Sequence, residues 1–564
     1  MLVFGDRSER VDPRERLARL TRDVAAGEGC PELRTAALVE AGMLAQGLAD
    51  AEFAERGEDD PSRTQDLALA LVRALADPQA FDSAAARGAA EALAARPLPA
   101  EVTCKVPEGF SVYGVYPEAY RRTAARLRLR RPLVVGLRSI GLALAAAAAA
   151  GAGAARIVTL RPTGHPFRRE VRASARLRDL FAAHPGEVLI VDEGPGLSGS
   201  SFNAAADLLC ALGIDEARLV FMPSHPGDLG PEASDAHRAR WSRARRAPAT
   251  LDGLLAQDPI GRWFEDLTGP VRRVEDLSGG AWRDELPAAI RPPAWRLQER
   301  RKFRITAERG VFLARFAGLG PLGAGKLDLA GRLHAAGFGP EPLGLRRGFL
   351  LERWVDGEPL VAGQGDRGAI LERIGAYLAF RAQLPGPGSG PSSGPGSGPG
   401  SGADAAELME MTRVNAGLVG GEPLGRAVAA ALPPPGRLAA AAWPICVDGR
   451  LHPWEWRRGA DGRLWKTDAL DHAVGHDLIG HQDIAWDVAG AVVEFGLSPQ
   501  EAALLSARVG AARGRVLEPD LLAAYRLAYC AFQAGLWTYA ASDPQEAVAA
   551  RVQVARYREG LSRP

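Results

Sequence analysis

Four short apolar runs, each followed by a helical pattern, constrain the fold of the chain more than any other feature. They read PLVVGL, ARIVTL, EVLIVDE and ARLVFMPS, and they begin at residues 132, 155, 187 and 217. Strands that alternate with helices in this way form a parallel sheet covered by helices. We therefore predict an α/β domain with a parallel sheet.

The length of the chain predicts several folded units. Its 564 residues are too many for one compact core, and a domain size of about 100–200 residues suggests three or so units. We predict a helical N-terminal region over 1–100, the parallel-sheet domain over 101–228, an irregular basic connector over 229–295 and an α+β unit over 296–564. The expected fold class is thus multidomain α/β and α+β.

Two segments are predicted to lie outside packed cores. Residues 385–402 contain only Pro, Gly and Ser, so we expect a disordered spacer, inserted within the last unit because helical patterns flank it. The connector carries the basic run RARWSRARRAPA. We interpret this run as a solvated helix face, with phosphate or RNA binding as the less favoured alternative.

Charge and cysteine content indicate which partners and which compartment to expect. With 69 Lys and Arg against 68 Asp and Glu, the chain has no overall charge that would attract nucleic acid or an anionic membrane. Its five scattered cysteines lack any C-x-x-C pair, which favours reduced thiols in a cytoplasmic protein. No signal peptide or membrane-spanning pattern is recognisable. We expect small-molecule partners, and dimerisation through the helical region stays open.

The stretch VLIVDEGPGLSGSSF, residues 188–202, pairs two acids with a loop of small residues. Ligands of open α/β folds bind at the carboxyl edge of the sheet, where Asp192 and Glu193 would lie. A Gly/Ser loop that opens a helix offers free N–H groups to an anion, and the acids can accept hydrogen bonds from sugar hydroxyls. The pattern predicts a ligand with a phosphate beside a ribose diol. The alternative is a plain strand–turn–helix with surface acids.

This stretch resembles the phosphoribosyl-diphosphate motif of type I phosphoribosyltransferases, although its loop is one residue longer. The resemblance implies that Asp192 and Glu193 hold the ribose hydroxyls. It further implies that four loop residues hold the 5-phosphate: Ser198, Gly199, Ser200 and Ser201. The implied reaction is displacement of diphosphate from C1 of the ribose by a nitrogen nucleophile, with Mg²⁺ stabilising the leaving group.

Two further segments of this domain support the resemblance. LVVGLRSIG, residues 133–141, is similar to the diphosphate-binding loop of the family, with Arg138 and Ser139 at its turn and Arg138 expected to neutralise the leaving charge. TLRPTGHPFRREV, residues 159–171, has the many cations of a loop that closes over an anionic substrate, and His165 is a candidate general base. A solvated basic turn is the alternative for this second segment.

The C-terminal half carries a second group of acids. ICVDGRLHPWEW, residues 445–456, precedes a hairpin pattern that ends at Asp468 and Asp471. Carboxylates that converge in this way suit Mg²⁺ and a nucleoside triphosphate. The two acids are the candidate metal ligands, and ATP is a candidate ligand. Zinc binding by His472, His476 and His481 is less favoured, and the tryptophans here are expected to be packing residues.

This half resembles the aminoglycoside-phosphotransferase and choline-kinase branch of the protein-kinase-like fold. DGRLHPWE matches the catalytic loop of that branch, and the segments over about 300–360 and 403–564 match its two lobes. Three positions depart from the pattern: Arg450 replaces the catalytic base, Glu455 the metal-binding Asn and Arg315 the lysine that contacts ATP. Because arginine cannot accept a proton, either phosphate transfer is lost or Asp448 or Glu455 has become the base.

Two functional hypotheses follow. The first is a phosphoribosyltransferase-like protein that uses phosphoribosyl diphosphate and Mg²⁺, fused to a divergent small-molecule-kinase-like domain. The second is a nonenzymatic sensor or scaffold with a pseudokinase domain, which binds phosphoribosyl diphosphate or a nucleotide without turnover.

Overall fold

The computed structural model describes residues 8–562 apart from 28–29, 78–80, 297, 362, 386–401 and 473–477. Almost all of the predicted spacer, 385–402, lies outside the described residues, as does His476. Within the described ranges, no helix combines the length and the apolar character that crossing a membrane requires.

The N-terminal region is helical, as the sequence predicts. Asp12, Ser62 and Asp82 cap three of its helices by accepting hydrogen bonds from backbone N–H groups of the first turns. The first strand of the region, β1, pairs antiparallel with its last strand, β2. Its elements are β1 (Ser8–Val11), α1 (Pro13–Ala26), α2 (Pro31–Arg56), α3 (Arg63–Ala76), α4 (Ser83–Ala94) and β2 (Val102–Lys105).

The second domain contains a five-stranded parallel sheet in the order β4-β3-β7-β8-β9, with a separate antiparallel hairpin β5–β6. The prediction of a parallel sheet is therefore confirmed. Its elements are α5 (Glu108–Ser111), α6 (Pro117–Leu127), β3 (Leu133–Leu137), α7 (Gly141–Ala152), β4 (Arg156–Leu160), β5 (Pro162–His165), β6 (Arg168–Val171), α8 (Ala175–Ala182), β7 (Val188–Val191), α9 (Ser200–Ala211), β8 (Leu219–Met222), α10 (Asp235–Arg243), β9 (Arg245–Arg246) and α11 (Leu251–Leu255).

The third unit contains a five-stranded antiparallel sheet in the order β10-β11-β12-β14-β13, with α13 between its strands β12 and β13. A small sheet β15-β16-β17 and the helices α14 to α21 come after this sheet in the chain. Its elements are α12 (Glu265–Thr268), β10 (Val271–Asp276), β11 (Lys302–Ala307), β12 (Gly310–Phe316), α13 (Pro321–Ala335), β13 (Pro342–Arg346), β14 (Phe349–Arg353), β15 (Glu358–Pro359), α14 (Arg367–Arg381), α15 (Ala405–Gly420), α16 (Glu422–Ala431), α17 (Pro435–Ala441), β16 (Trp456–Arg458), β17 (Leu464–Lys466), α18 (Ala485–Glu494), α19 (Pro499–Arg513), α20 (Pro519–Ala540) and α21 (Ala547–Leu561).

The predicted irregular connector, 229–295, contains regular structure and divides between the two neighbours. β9 joins the edge of the parallel sheet, and β10 pairs with β11 of the antiparallel sheet. The prediction was wrong here because β9 is only two residues long and β10 reads VRRVED, which carries too few apolar residues to show a strand period.

One hydrophobic core runs through all three units. It includes Leu44 of α2, Ala145 of α7, Val220 of β8, and Phe316 and Leu351 of the antiparallel sheet, all nearly inaccessible to solvent. Because the same core continues across the units, apolar burial holds the three units together.

Close packing of α6 on α7 depends on Gly151. A Cβ atom at this position would overlap the carbonyl group of Arg121 in α6. We expect Gly151→Ala to lower the free energy of unfolding by about 1–3 kcal/mol, as overpacking does.

The matched control is Gly88→Ala in α4, where a Cβ atom meets nothing within 4 Å. Here the better helix propensity of alanine should raise stability by roughly 0.5–1 kcal/mol. Urea unfolding of both variants measures the difference. Equal stabilities would contradict this packing.

Candidate functional site

A cavity of about 650 Å³ opens at the carboxyl edge of the parallel sheet, and we call it the sheet-edge cavity. Its lining contains both basic and acidic side chains, and three of the basic ones are paired with acids of the protein. The basic residues are Lys105, Arg138, Arg161, Arg169 and Arg301, and the acidic ones are Asp192, Glu193 and Asp252.

Asp192 and Glu193 lie together in this cavity, directly after β7 and half-buried. The backbone that carries them is held on both sides: Tyr120 donates its hydroxyl to the carbonyl of Asp192 at 2.8 Å, and Ser224 N–H donates to the carbonyl of Glu193 at 2.7 Å. Gly109 leaves room for the Glu193 carboxylate, since a Cβ there would lie 2.9 Å from Oε2. The structure therefore brings the predicted acid pair to the cavity, and its role in holding a ribose remains a prediction.

The guanidinium of Arg138 is held by contacts within the protein. Its enclosed guanidinium donates from Nε to Asp50 at 2.8 Å and from Nη1 to Thr159 at 3.0 Å, and Nη2 is bonded to Asp59. Arg138 and the neighbouring Ser139 both line the cavity. Because two carboxylates from the helical region, about 80 residues earlier, already neutralise the guanidinium, the expected role of Arg138 towards a leaving diphosphate stays a prediction.

Most of the predicted phosphate loop is also occupied by contacts within the protein. Ser198 Oγ accepts from Ser200 N–H at 3.2 Å, and Ser200 Oγ donates to the carbonyl of Pro166 at 2.8 Å. Gly199 has φ of +67°, and a Cβ there would collide with Leu229. Of the four loop residues named above, only Ser201 lines the cavity, so the assignment of Ser198, Gly199 and Ser200 to the phosphate is corrected.

The basic segment 159–171 forms the hairpin β5–β6, whose turn lies on the start of α9 through the Ser200 contact. His165 is exposed at this turn, accepts from Phe167 N–H at 3.2 Å and is not among the cavity-lining residues. It is therefore not placed to act as a general base on a ligand beside Asp192. Arg169, on the returning strand, does reach the cavity.

Sequence reasoning missed Lys105 and Arg301 at this site. Lys105 ends β2, and Arg301 directly precedes β11 of the antiparallel sheet, where its Nη2 lies 2.7 Å from Asp252. Neither belongs to a recognisable motif. Their place in the cavity follows from the packing of three units, for which the sequence carries no local signal.

A second cavity, of about 180 Å³, lies between the antiparallel sheet and the helical part of the third unit, and we call it the interlobe cavity. Arg315 of β12 enters it, and its Nε lies 2.8 Å from Glu352 of β14 while Nη1 lies 3.3 Å from Asp468. Burial alone would lower the pKa of Arg315, but Glu352, Asp471 and Asp468 raise it above its usual value. Arg315 is thus a permanent cation that the acids already neutralise.

Lys466 places an ammonium group among the acids of the predicted metal site. Its enclosed Nζ lies 2.8 Å from Glu455 and 3.2 Å from Asp448, and it also donates to the carbonyl of Asp468. Burial alone would lower the pKa of Lys466, but Asp448 and Glu455 raise it. The side chain therefore supplies the positive charge that a metal ion would otherwise bring.

His472 adds a second cation to the same cluster. Its Nδ1 lies 2.9 Å from Asp448 Oδ1, and its Nε2 lies 3.4 Å from Asp468 Oδ2. Burial lowers the pKa of His472, but Asp468 and Glu455 outweigh that effect and raise it to about 9. Asp448, Glu455 and His472 have ligand atoms close enough for a metal ion, but the ammonium group of Lys466 already lies against both carboxylates.

Asp471, the second predicted metal ligand, is held by other cations. Lys326 of α13 donates to its Oδ1, and Arg315 Nη1 lies 3.6 Å from its Oδ2. This assignment is corrected because both carboxylate oxygens face basic side chains. A buried lysine on α13 has no counterpart in the sequence motifs, and its partner lies 145 residues later.

Neither Asp448 nor Glu455, the two predicted replacements for the missing base, is available in this geometry. At the base position itself, Arg450 donates from Nη2 to Gln298 at 2.7 Å. Asp448 is fully buried, accepts from the Tyr377 hydroxyl and does not line the cavity. Glu455 lines the cavity but is paired with Lys466.

Tryptophan side chains make up much of the interlobe lining. Trp456 and Trp486 are buried packing residues as predicted, whereas Trp454 lines the cavity and stacks on His452 with ring centroids 4.3 Å apart. The lining tryptophans are Trp282, Trp295, Trp354, Trp454 and Trp537. Such rings offer flat apolar faces to a ligand.

Comparison with known proteins finds a likeness in fold alone. No protein-family model matches the chain, and no curated protein matches it in sequence. Among solved structures, choline kinase LicA from Streptococcus pneumoniae aligns at 15% identity and a TM-score of 0.36, covering 55% of this chain and 99% of its own. A putative aminoglycoside phosphotransferase from Ralstonia eutropha aligns at 14% identity and a TM-score of 0.37, covering 54% and 97%.

A choline kinase from Cryptosporidium parvum aligns at 11% identity and a TM-score of 0.33, covering 55% of this chain and 94% of its own. These superpositions extend over about half of the chain. Their identities and TM-scores are low, so the chemistry of the two cavities has to be read from the side chains themselves.

The contacts of Lys466 with Asp448 and Glu455 indicate that its removal would create a metal site. We expect Lys466→Met to bind Mn²⁺ at least tenfold more tightly than the wild-type chain, because Glu455, Asp448 and the Asp468 carbonyl lose their ammonium partner. Calorimetric titration with MnCl₂ measures the change. In the double variant Lys466→Met/Glu455→Gln the gain should disappear, and equal Mn²⁺ binding by all three proteins would contradict the assignment.

We expect the loss of the buried ion pair between Arg138 and Asp59 to lower the stability of the protein strongly. Asp59→Ala should lower the free energy of unfolding by about 3–5 kcal/mol, because it leaves an enclosed guanidinium with less compensation. Asp328→Ala is the control, since Asp328 pairs with Arg332 on an exposed helix face and contributes about 0–1 kcal/mol. Similar unfolding midpoints in urea for the two variants would show that the buried pair is not stabilising.

Proposed function

We propose that the chain binds phosphoribosyl diphosphate at the sheet-edge cavity and transfers the ribosyl 5-phosphate group to a nitrogen nucleophile. The observation that carries this proposal is the pairing of Asp192 and Glu193 with basic side chains around one cavity at the carboxyl edge of a parallel sheet. A ligand with vicinal hydroxyls, a phosphate and a diphosphate can contact both kinds of side chain at once.

The acids and the cations have separate parts in binding. The carboxylates of Asp192 and Glu193 accept hydrogen bonds from the ribose hydroxyls. Lys105, Arg169 and Arg301 come from three separate segments and line the cavity, where we expect them to contact the diphosphate. Charge-assisted hydrogen bonds of this kind are stronger than neutral ones, and arginine suits phosphate oxygens in particular.

In the proposed reaction the nitrogen lone pair forms the bond to C1 while the bond from C1 to the diphosphate oxygen breaks. The diphosphate leaves with the electron pair, the attacking N–H group releases its proton to solvent, and the basic side chains stabilise the charge that develops on the diphosphate. Carboxylates beside the ribose also stabilise the positive charge that develops at C1. A magnesium ion, when bound, would neutralise charge on the diphosphate.

For the interlobe cavity we propose ligand binding without phosphate transfer, so that the third unit acts as a pseudokinase. Arg450 at the base position cannot accept a proton, and Lys466 and His472 occupy the acids that a metal ion would need. If the sheet-edge cavity also binds without turnover, the whole protein is a sensor or scaffold. Turnover at the first cavity distinguishes the two functions.

Calorimetric titration of the wild-type chain with phosphoribosyl diphosphate and MgCl₂ tests the binding proposal. We expect binding in the wild type and a loss of about 100-fold in Asp192→Asn/Glu193→Gln, since two hydrogen bonds to charged groups at about 1.5 kcal/mol each are weakened. Glu232→Gln changes an exposed acid of a nearby loop and should leave the affinity unchanged. Equal affinities of wild type and double variant would overturn the proposal.

Diphosphate release over a panel of nucleobases and amines then separates enzyme from sensor. Release that depends on one class of nitrogen nucleophile supports the transferase. Binding without release with every member of the panel supports the sensor.

A further inference from the structure

One thin wall separates the two cavities. Residues 112 and 113 line the interlobe cavity, and residues 113–115 line the sheet-edge cavity, so Tyr113 borders both. Beside this segment, Arg300 lines the interlobe cavity and Arg301 lines the sheet-edge cavity. Two consecutive arginines therefore lie on opposite sides of the same wall.

The backbone of the wall is fixed from both units. Val112 N–H donates to Glu108 at 2.7 Å, and Val115 N–H donates to Gly109 at 2.9 Å. Arg300 Nη1 donates to the carbonyl of Val112 at 3.5 Å and so joins the two segments. Tyr113 itself is 43% exposed. A change of its side-chain rotamer would leave this backbone in place.

Arg450 lies on the interlobe side, close to this wall. Its hydrogen-bond partner Gln298 is two residues before Arg300, and both line the same cavity. The Nε of Arg450 is enclosed and has no hydrogen-bond partner among the described residues. A half-buried guanidinium with unused donors is suited to a phosphate or carboxylate group.

The two observations lead to one inference. We propose that the interlobe cavity receives a sugar phosphate monoester whose phosphate binds Arg450, and that this ligand comes from the sheet-edge cavity past Tyr113. The second part rests on the proposed function, since the product of ribosyl transfer is such a monoester. Along this path the phosphate stays close to a guanidinium, first Arg301, then Arg300 and finally Arg450. The lining tryptophans offer flat faces to the group attached at C1.

Tryptophan fluorescence tests the first part with ribose 5-phosphate as the probe. Five described tryptophans line the interlobe cavity and none of the described ones lines the sheet-edge cavity, so the signal reports the interlobe side. The titration uses Asp192→Asn/Glu193→Gln, which disables the other cavity. We expect a saturable change in fluorescence there, weakened at least tenfold when Arg450→Gln is added.

Arg437→Gln is the matched control, because Arg437 is exposed and pairs with Asp520 on the surface. It should leave the titration unchanged. A curve that Arg450→Gln does not alter, or no change in fluorescence at all, overturns the assignment of the phosphate to Arg450. Because the sheet-edge acids are already removed, this result does not depend on whether phosphoribosyl diphosphate binds.

Stopped-flow mixing tests the path past Tyr113. In the otherwise wild-type chain we expect Tyr113→Ala to speed the arrival of ribose 5-phosphate at least threefold, and Tyr113→Phe to leave it unchanged. Saturating phosphoribosyl diphosphate should slow arrival in the wild type by filling the sheet-edge cavity. Rates that neither change affects show that the ligand enters from solvent and overturn the path. Failure of phosphoribosyl diphosphate to bind in the calorimeter overturns the proposed function and with it the origin of the ligand, and leaves the Arg450 result standing.

Discussion

The geometry of the sheet-edge cavity depends on one buried guanidinium. Arg138 follows β3, and its side chain bonds to Asp50 and Asp59 of the helical N-terminal region. An enclosed charge has to be paired, so the region and the parallel sheet cannot separate without a large cost. The same pairing fixes the turn at Ser139 beside Asp192. The helical region thus supports the site through Arg138, and a fragment starting at residue 101 would lack both carboxylates.

The two cavities differ in how their acids are balanced. Lys466 and His472 neutralise Asp448 and Glu455 beside the interlobe cavity from within the protein. At the sheet-edge cavity Arg138 and Arg301 are paired with other acids, while Asp192 and Glu193 line the space in which a ligand can lie. The proposed difference in function, transfer at one cavity and binding alone at the other, rests on this contrast.

Local patterns allowed part of this structure to be predicted. Short β-branched runs between helices gave the parallel sheet, and the placement of Asp192 and Glu193 at its edge followed from the direction of β7. Contacts between distant segments could not be predicted in this way. Nothing near Arg138 indicates that Asp59 will bind it, and nothing near Arg301 indicates that it faces a cavity of another unit. Those features follow from tertiary packing alone.

A crystal structure of the full chain soaked with phosphoribosyl diphosphate, MgCl₂ and a non-hydrolysable ATP analogue would show which ligand each cavity holds. We expect phosphoribosyl diphosphate in the sheet-edge cavity, with its ribose hydroxyls on Asp192 and Glu193 and its diphosphate on the basic side chains. We expect no metal ion between Asp448, Glu455 and Asp468. Phosphoribosyl diphosphate absent from the acid pair, together with a magnesium ion displacing Lys466 from that cluster, would overturn both proposals.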